Sequence, residues 1–449
     1  LSNILKMGIS SLQTLRKRWQ QVQEIEEQKM KIAAVQVFTL DVPYTSLADQ
    51  HLPYWIPGWR IFQVCKITLE NGVVGWGESG LHTTRIPEDI GTRMAGRVAA
   101  ELLWQDELGM GVQMALFDAV GKALNVPVHR LLGTQVRAWV PLSWWTIDLE
   151  PDEWAAQCAE AVKQGYTSAK LKARTSHDIH AGIRAILEVV PPQFRLDLDF
   201  NGSLINAAHA VEFLKTLEQY QQVAMIETPI PQADVAGNQH IRRHLKRPVA
   251  MHLGDPPFST ALSQDVSDGF IIGGGASAVR EQAILCNVAN KPFWLQMIGA
   301  GLTTTWAAHL GAVHSQARWP AITCLNIWKS TLIKEKIELR GGFHRVPDKP
   351  GLGVEVDPKA LKKYAVDYLH VEPPRHLYRY ARASGETVYI ACDRTALHGR
   401  YTEAGLPICE QGSQIEIISD DGSKKFANFY EEVTKQTILF RRETSQKKK

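Results

Sequence analysis

Four short apolar runs, each ending in charged or polar residues, most constrain what this chain can fold into. A helix-length segment separates each run from the next, and the runs read SAKLKAR from Ser168, RLDLDFNGS from Arg195, AMIETPI from Ala224 and RPVAMHLGD from Arg247. Short strands that alternate with helices are typical of parallel βα units. In a barrel built of such units, the carboxyl ends of the strands form one rim. The polar residues that end these runs are therefore expected to converge on one pocket.

The spacing within two of these runs predicts which side chains share a face. Lys170 and Lys172 are two residues apart, so they point to the same side of one strand. The same rule groups Asp197, Asp199 and Asn201 on the following strand. Paired lysines on an edge strand are often only a guard against aggregation, but a closed barrel has no edge strand. The pattern therefore favours a pocket in which lysines and carboxylates face each other.

Length and composition exclude several classes of protein. The chain has 449 residues, which exceeds the roughly 250 of a barrel alone, so further segments are expected. A hydrophobic share of 45%, a charged share of 22% and a net charge of +3 indicate a soluble protein that binds neither nucleic acid nor membrane. Six cysteines without paired spacing, and no secretion signal in the first thirty residues, favour the cytoplasm.

The order of patterns predicts four segments. Residues 1–30 form an N-terminal extension with helical periodicity, which is either an oligomer arm or dispensable. Residues 31–136 combine strands and helices, and residues 137–365 carry the barrel. Residues 366–449 alternate apolar and polar residues. In the last segment Asp420-Asp421-Gly422 predicts a hairpin turn. This β-rich appendage is expected to cover the barrel or to mediate assembly into a homo-oligomer, and to carry no catalytic group.

These motifs resemble the enolase superfamily, in its mandelate racemase and muconate lactonizing branch. The likeness spans roughly residues 31–365 and rests on K-x-K at 170–172, D-x-N at 199–201, E-T-P at 227–229, G-W-G-E-S at 75–79 and P-G-L-G-x-x-V-D at 350–357. It implies an α/β fold, a (β/α)8 TIM-type barrel with an N-terminal α+β capping domain and, here, a small C-terminal β-rich appendage. The stretch between Ser79 and Ala115 is shorter than the family usually carries, so some capping helices are expected to be missing.

The resemblance also implies roles for the pocket residues. Lys172 would be the base, Lys170 would support it or the substrate carboxylate, and Asn201 would orient one of these groups. Asp199 and Glu227 would bind a divalent metal ion, and carboxylate oxygens are the ligands that Mg²⁺ prefers. These roles fit the removal of a proton next to a carboxylate, which needs a base and stabilisation of the developing enediolate charge.

The third metal ligand departs from the family pattern. Four residues after Pro248, where the muconate lactonizing pattern places a carboxylate, this chain has His252. Three interpretations stay open: His252 is the ligand, Asp255 reaches back to the ion, or the site is incomplete. Imidazole is a poor ligand for Mg²⁺, so Mn²⁺ or Zn²⁺ would suit a site that includes His252.

Aromatic residues in the predicted capping segment are candidates for substrate contact. In the family, the loops equivalent to residues 44–60 and to the stretch after Ser79 close over the barrel mouth and select the substrate. The candidates here are Tyr54, Trp55, Trp59 and His82. The alternative is that these rings only pack against their own domain.

No second base is recognised across the barrel, where the family offers a lysine, an aspartate or a histidine. The corresponding positions are Gly273 and Gln296, and His309 within a helical run is expected to pack in the core. The sequence therefore predicts a metal-dependent lyase or isomerase with one-base chemistry on a small carboxylate, of cycloisomerase or dehydratase type. One alternative is a catalytically impaired member kept as a binding or assembly scaffold. Another is a barrel hydrolase that uses His252 with a transition metal.

Overall fold

The structure is a computed structural model, and it describes residues 30–392, 394–436 and 438–442. The helix predicted for the first thirty residues falls almost wholly outside the described residues. In residues 30–136, which are described throughout, an antiparallel sheet of three strands comprises β1 (Ile32–Asp41), β2 (Ile61–Leu69) and β3 (Val74–Gly80). The helices of this capping domain are α1 (Ser46–Asp49), α2 (Leu52–Trp55), α3 (Ile90–Met94), α4 (Met110–Ala123) and α5 (Val128–Leu132).

Two glycines of β3 allow helix α4 to lie directly on the capping sheet. A Cβ atom at Gly75 would come within 2.1 Å of the Ala115 carbonyl oxygen, and one at Gly77 within 2.0 Å of the Gly111 carbonyl oxygen. Any larger residue would push the helix off the sheet. The G-W-G part of the sequence motif is thus explained by packing between the sheet and the helix.

The barrel has the predicted parallel topology. Within residues 139–357, all of which are described, seven strands pair in sequence order: β5 (Trp144–Thr146), β6 (Ser168–Lys172), β7 (Arg195–Asp199), β8 (Val223–Glu227), β9 (Val249–His252), β10 (Gly269–Ile272) and β11 (Phe293–Leu295). Residues 321–322 take the eighth position, because parallel bridges join Ile322 to Gln296 and Ala321 to Leu142. The outer helices are α6 (Pro151–Lys163), α7 (Ile179–Leu187), α8 (Ala207–Leu217), α9 (Val235–His244), α10 (Phe258–Ser263), α11 (Ala276–Val288) and α12 (Gly301–Val313).

Smaller elements flank the barrel. A second sheet pairs β13 (Phe343–Arg345) with both β12 (Leu339–Arg340) and β4 (Trp139–Pro141), and helix α13 (Pro358–Tyr364) follows it. The predicted packing role of His309 is confirmed. This residue is buried within α12, and its ring nitrogens contact the Leu352 carbonyl oxygen and the His129 backbone N–H.

The C-terminal appendage is a sheet with helices. Its described residues form a four-stranded antiparallel sheet in the order β16 (Gln414–Ser419), β14 (His376–Ala381), β15 (Glu386–Ile390) and β17 (Ile438–Arg442), accompanied by helices α14 (Arg394–Glu403) and α15 (Lys424–Gln436). The predicted hairpin at Asp420-Asp421-Gly422 is wrong, because helix α15 follows that turn. The Ser423 hydroxyl accepts the Phe426 N–H, as an N-cap does, and Phe426 and Val433, seven residues apart, share the buried face.

The appendage covers part of the rim formed by the carboxyl ends of the barrel strands. The Cys409 N–H donates to the Thr175 carbonyl oxygen at 2.7 Å, and the Gly412 N–H donates to the Asp178 carboxylate at 2.8 Å. The Ile415 N–H donates to the Glu150 carboxylate at 2.9 Å. These contacts favour the covering role of the appendage, whereas assembly into a homo-oligomer stays a prediction.

Two expectations from composition can be compared with the structure. None of the six cysteines, which all fall among the described residues, forms a disulfide bond. No helix within the described ranges is both long enough and apolar enough to cross a membrane.

Glu78 joins the capping domain to the barrel, and its burial gives stability a pH dependence. It is fully buried, one of its oxygens accepts the Thr303 N–H at 2.9 Å, and the other has no hydrogen-bond partner. Burial raises the pKa of Glu78 to about 7, although backbone N–H groups at the start of α12 oppose this shift. The folded state therefore binds the proton more tightly than the unfolded state. The resulting stabilisation is complete below the ordinary pKa and is lost as the pH rises through about 7.

Replacement of Glu78 by glutamine is expected to remove this pH dependence. Relative to wild type, the free energy of unfolding of Glu78→Gln should rise by on the order of 3 kcal/mol between pH 4.5 and pH 8. Urea unfolding across this range measures the difference. Glu88→Gln, at a side chain that is 87% exposed, is the matched control and should show no such trend. A difference between Glu78→Gln and wild type that does not change with pH would contradict the explanation.

Candidate active site

Three neighbouring strands bring the predicted lysines and carboxylates to one level of the barrel. In the strand register Lys172 lies opposite Asp199, and Asp199 lies opposite Glu227. All three residues end their strands, and Lys170 lies one step deeper on the same face as Lys172. The structure therefore assembles the central set of residues that the sequence predicts.

Lys170 is held by both carboxylates. Its Nζ atom lies 2.6 Å from Glu227 Oε2 and 3.3 Å from Asp199 Oδ2, and it donates a hydrogen bond to Gln296 Oε1 at 2.7 Å. The side chain is only 1% exposed. Burial alone would lower the pKa of Lys170, but the charges of Glu227 and Asp199 outweigh burial and raise it. Lys170 is therefore a fixed cation at the bottom of the site.

Lys172 lies nearer the barrel mouth and is 12% exposed. Its Nζ atom is 2.5 Å from Asp199 Oδ2 and donates to Asn201 Oδ1 at 2.9 Å. Burial and the neighbouring charge of Lys170 lower the pKa of Lys172, while Asp199 acts in the opposite direction. The two lysines thus have pKa values shifted apart, which is the arrangement that separates a base from a permanent charge.

The acids of β7 also differ from each other. Burial opposes ionisation of Asp199, but the charges of Lys172, Lys170 and Arg174 hold its pKa well below the usual range. Asp197 is buried on the same strand, and burial together with the charge of Glu227 raises its pKa to about 7, although Lys170 opposes this shift. Asp199 is accordingly the permanent anion of the pair.

The predicted third metal ligand lies at the edge of the site. The His252 side chain is 45% exposed, and its Nε2 atom is 3.4 Å from Glu227 Oε1. Asp255 is exposed, and its backbone carbonyl oxygen accepts a hydrogen bond from Gln232. Among the residues that the structure describes, no three His, Cys, Asp or Glu side chains form a ready-made metal site. His252 therefore contacts one of the two candidate carboxylates, and the choice among the three interpretations of the third ligand stays a prediction.

The carboxylates nevertheless fit a divalent cation. Glu227 Oε1 is buried without a hydrogen-bond partner and lies 3.4 Å from His252 Nε2, whereas Oε2 forms the ion pair with Lys170. Mg²⁺ is often bound through one or two carboxylates, with water and substrate oxygens completing its shell. Asp199 and Glu227 would supply the two carboxylates, and the His252 imidazole lies beside Glu227.

The four candidate residues of the capping segment lie in three different surroundings. Trp55 lines the cavity above Asn201, whereas Tyr54 turns to the appendage, where its hydroxyl is 2.6 Å from the Ser419 hydroxyl. Trp59 stacks on His82 with ring centroids 4.4 Å apart, and burial lowers the pKa of His82 to about 4. Trp55 is thus the member of this group that is placed to contact a substrate beside Asn201.

The two positions at which the family offers a second base, on the far side of the barrel from Lys172, carry neither an acid nor a base. Gly273 follows β10, and Gln296, which follows β11, uses its side-chain oxygen to accept from Lys170. An amide does not transfer protons in the way that a lysine, an aspartate or a histidine does. Lys172 therefore faces no partner of that kind at these two positions.

A cavity of about 570 Å³ opens above Asn201 and contains residues that sequence reasoning missed. Its lining includes Arg174 and Ser203 from the barrel loops and Thr402 and Glu403 from helix α14 of the appendage. A signal for Arg174 was available, because it continues the two-residue spacing of Lys170 and Lys172. The contribution of the appendage left no signal, since its placement depends on contacts distant in sequence.

Comparison with known proteins gives a consistent picture. Residues 153–360 match the family model described as Enolase C-terminal domain-like. The chain is 24% identical to a D-gluconate/D-galactonate dehydratase of Picrophilus torridus over 68% of this chain and 88% of that protein. It is also 24% identical to an N-succinyl-L-Arg/Lys racemase of Bacillus cereus, over 75% and 98% of the two chains. The crystal structure of a muconate cycloisomerase from Pseudomonas fluorescens superposes with a TM-score of 0.62 at 19% identity, covering 75% of this chain and 99% of that chain.

Proposed function

Since this chain belongs to the mandelate racemase and muconate lactonizing branch of the enolase superfamily, we propose that it is a lyase or isomerase acting on a carbon acid. Its relatives include a dehydratase, a racemase and a muconate cycloisomerase. The proposed substrate is a small carboxylate, and the proposed step is removal of the proton from the carbon next to the carboxylate. The position of the Lys172 Nζ atom carries this proposal, because it contacts both the buried Asp199 and Asn201, which lines the cavity.

In this proposal Lys172 takes the proton, and two neighbours hold it in place. Asp199 and Asn201 contact the same Nζ atom at 2.5 and 2.9 Å, which restricts the direction in which its lone pair can point after deprotonation. A base fixed in hydrogen-bonding reach of its proton accelerates transfer by about 10²- to 10⁴-fold. The low exposure of the site excludes water that would otherwise screen these charges.

Lys170 has a different role, as a cation that does not give up its proton. Its ammonium group lies between Glu227 and Asp199, and it is buried below Lys172. A positive charge there would attract the substrate carboxylate and the enediolate that forms from it. A divalent ion bound by Asp199 and Glu227, with His252 nearby, would add charge stabilisation to the same enediolate oxygens. Mg²⁺ suits the two carboxylates, and Mn²⁺ or Zn²⁺ would suit a site that includes His252.

The one-sided arrangement leads to a stereochemical prediction that tests the function. Since Gly273 and Gln296 replace a second base, the proton should leave and return on the face of the substrate that Lys172 contacts. Incubation of wild type in D₂O with a panel of small chiral carboxylates should give deuterated acid of unchanged configuration, detected by mass spectrometry and chiral chromatography. Deuterated acid that has lost its configuration would contradict the one-base mechanism.

A second candidate function is a scaffold without catalysis. The observation that favours it is the internal neutralisation of both carboxylates by Lys170 and Lys172. The two ammonium groups balance the two carboxylate charges, so the net charge of the cluster requires neither a metal ion nor a substrate. Absence of deuterium incorporation across the panel, together with metal-free protein after incubation with Mg²⁺, Mn²⁺ and Zn²⁺, would favour the scaffold over the enzyme.

A further inference from the structure

Arg174 is a buried cation whose charge acts on Asp199 but which makes no ion-pair contact with a carboxylate of the described residues. The residue is 7% exposed, its Nε atom has no hydrogen-bond partner, and one of its terminal nitrogens donates to the Phe200 carbonyl oxygen at 3.4 Å. No ion pair joins the guanidinium to a carboxylate of the described residues. The carboxylate of Asp199 is instead held by Lys172 and contacted by Lys170. Arg174 therefore retains donors that the folded chain does not satisfy.

Such an arrangement is costly unless a ligand completes it. A charge that is buried and left unpaired costs several kcal/mol relative to one paired with an anion. The planar guanidinium presents parallel N–H groups that match the oxygens of a carboxylate or a phosphate. The chemistry of Arg174 thus indicates that an oxyanion binds here.

Ser203 provides a second donor in the same cavity. Its hydroxyl oxygen is buried without a hydrogen-bond partner, and the residue lines the cavity together with Arg174. Across the cavity, helix α14 contributes Glu403, whose side chain is exposed. The negative charge of Glu403 disfavours an anion beside helix α14. It therefore favours an anion on the opposite side of the cavity, beside Arg174 and Ser203.

The distance between Arg174 and the base limits the shape of the ligand. Arg174 follows Lys172 by two residues, which corresponds to about 6.6 Å along an extended backbone. Asn201 connects the two places, since it contacts Lys172 and lines the cavity. A molecule whose acidic carbon lies at Lys172 can thus place a group a few bonds further on at Arg174.

From these observations we propose that Arg174 and Ser203 bind a second anionic group of the substrate, a carboxylate or a phosphate. This proposal rests on the proposed function, since it assumes that the first carboxylate binds near Lys170 and Lys172. The chain would therefore select dianionic acids over monoanionic acids of equal length. Specificity would come from the barrel loops and the appendage as well as from the capping domain.

Binding of three matched probes to the full-length chain tests this proposal. Propionate carries one anionic group, succinate adds a carboxylate at the far carbon, and 3-phosphonopropionate adds a phosphonate there. Isothermal titration calorimetry should show that at least one dianion binds about tenfold or more tightly than propionate, which corresponds to about 1.4 kcal/mol. The dianion that binds more tightly identifies whether the far group is a carboxylate or a phosphate.

Substitution of Arg174 isolates its contribution. Arg174→Gln should reduce the preference for the dianion to about onefold while propionate binds as before, because only the far group loses its partner. Arg195→Gln, at an exposed arginine whose side chain donates to the Gln221 carbonyl oxygen, is the matched control and should keep the preference. If Arg174→Gln does not fold, Arg174→Lys and Ser203→Ala replace it, and each should reduce the preference.

The outcomes separate this proposal from the proposed function. Equal affinity of wild type for all three probes, or a preference that survives in every Arg174 and Ser203 variant that folds, would overturn the anion site. Deuterium exchange by wild type would stand in that case. Conversely, Lys172→Ala should still bind the dianion more tightly than propionate. If this variant loses deuterium exchange and keeps the preference, the base has been removed and the anion site is intact.

Discussion

Replacement of Lys172 by alanine is expected to slow deuterium incorporation into a substrate acid by about 10²- to 10⁴-fold. The physical reason is that Lys172 contacts Asn201, which lines the cavity, whereas Lys170 is fixed as a cation by Glu227 and Asp199. Mass spectrometry of the acid after incubation in D₂O measures the rate. The thermal midpoint of unfolding should also fall, because Lys172 is only 12% exposed and its ion pair with the buried Asp199 is lost, so the rate is compared well below the midpoint of the variant.

Lys163→Ala is the matched control for this experiment. Its side chain is 78% exposed on helix α6, so the same substitution there should leave the exchange rate unchanged. Exchange that persists in Lys172→Ala at the wild-type rate would show that another group is the base. The next group to replace would then be His252, whose imidazole is exposed at the rim of the site.

Replacement of Asp199 by asparagine is expected to abolish binding of a divalent ion and to destabilise the fold. One carboxylate of the proposed pair is lost, so the metal content should fall from about one ion per chain to near zero. In metal-free protein the change leaves Lys170 and Lys172 with less opposing charge, and breaking a buried ion pair costs about 3–5 kcal/mol. Elemental analysis and urea unfolding in the presence of a chelator measure the two effects separately.

Asp197→Asn separates the role of Asp199 from a general effect of removing acids from this strand. Asp197 lies two residues earlier on β7, and its pKa near 7 means that it is partly protonated at neutral pH. The same substitution there should keep the metal content and cost less stability than Asp199→Asn. Equal metal content in both variants would place the ion elsewhere, and wild type that takes up no ion would remove the basis for metal dependence.

Much of the barrel could be predicted from the sequence because its determinants are local. Period-two spacing fixed which side of each strand Lys170, Lys172 and Asp199 occupy, and parallel topology placed their ends at one rim. The same reasoning located His309 in the core, because the residues around it in the helix are mostly apolar and a helix of that kind is buried. These inferences need only the chain within about thirty residues of each position.

Other features depended on contacts between distant residues. The ion pair between Lys170 and Glu227 joins side chains on strands that are not neighbours, and no spacing rule predicts which acid a buried lysine selects. The stacking of Trp59 on His82 and the turn of Tyr54 toward Ser419 are also products of tertiary packing. Helix α15 was misread because the turn signal at Asp420-Asp421-Gly422 was given more weight than the three- and four-residue steps between the apolar residues from Phe426 to Val433.

The wall that helix α14 contributes to the cavity has a consequence for biosynthesis. The chain is made from its amino terminus, so both lysines and both carboxylates leave the ribosome well before the appendage does. Strand β15, which directly precedes α14, pairs on one side with β14 and on the other with β17, the last described strand of the chain. A nascent barrel would thus hold its charged cluster beneath an uncovered mouth until β17 has been synthesised. Termination of translation between the barrel and β17 would release a protein that has the residues of the site without the wall that α14 supplies.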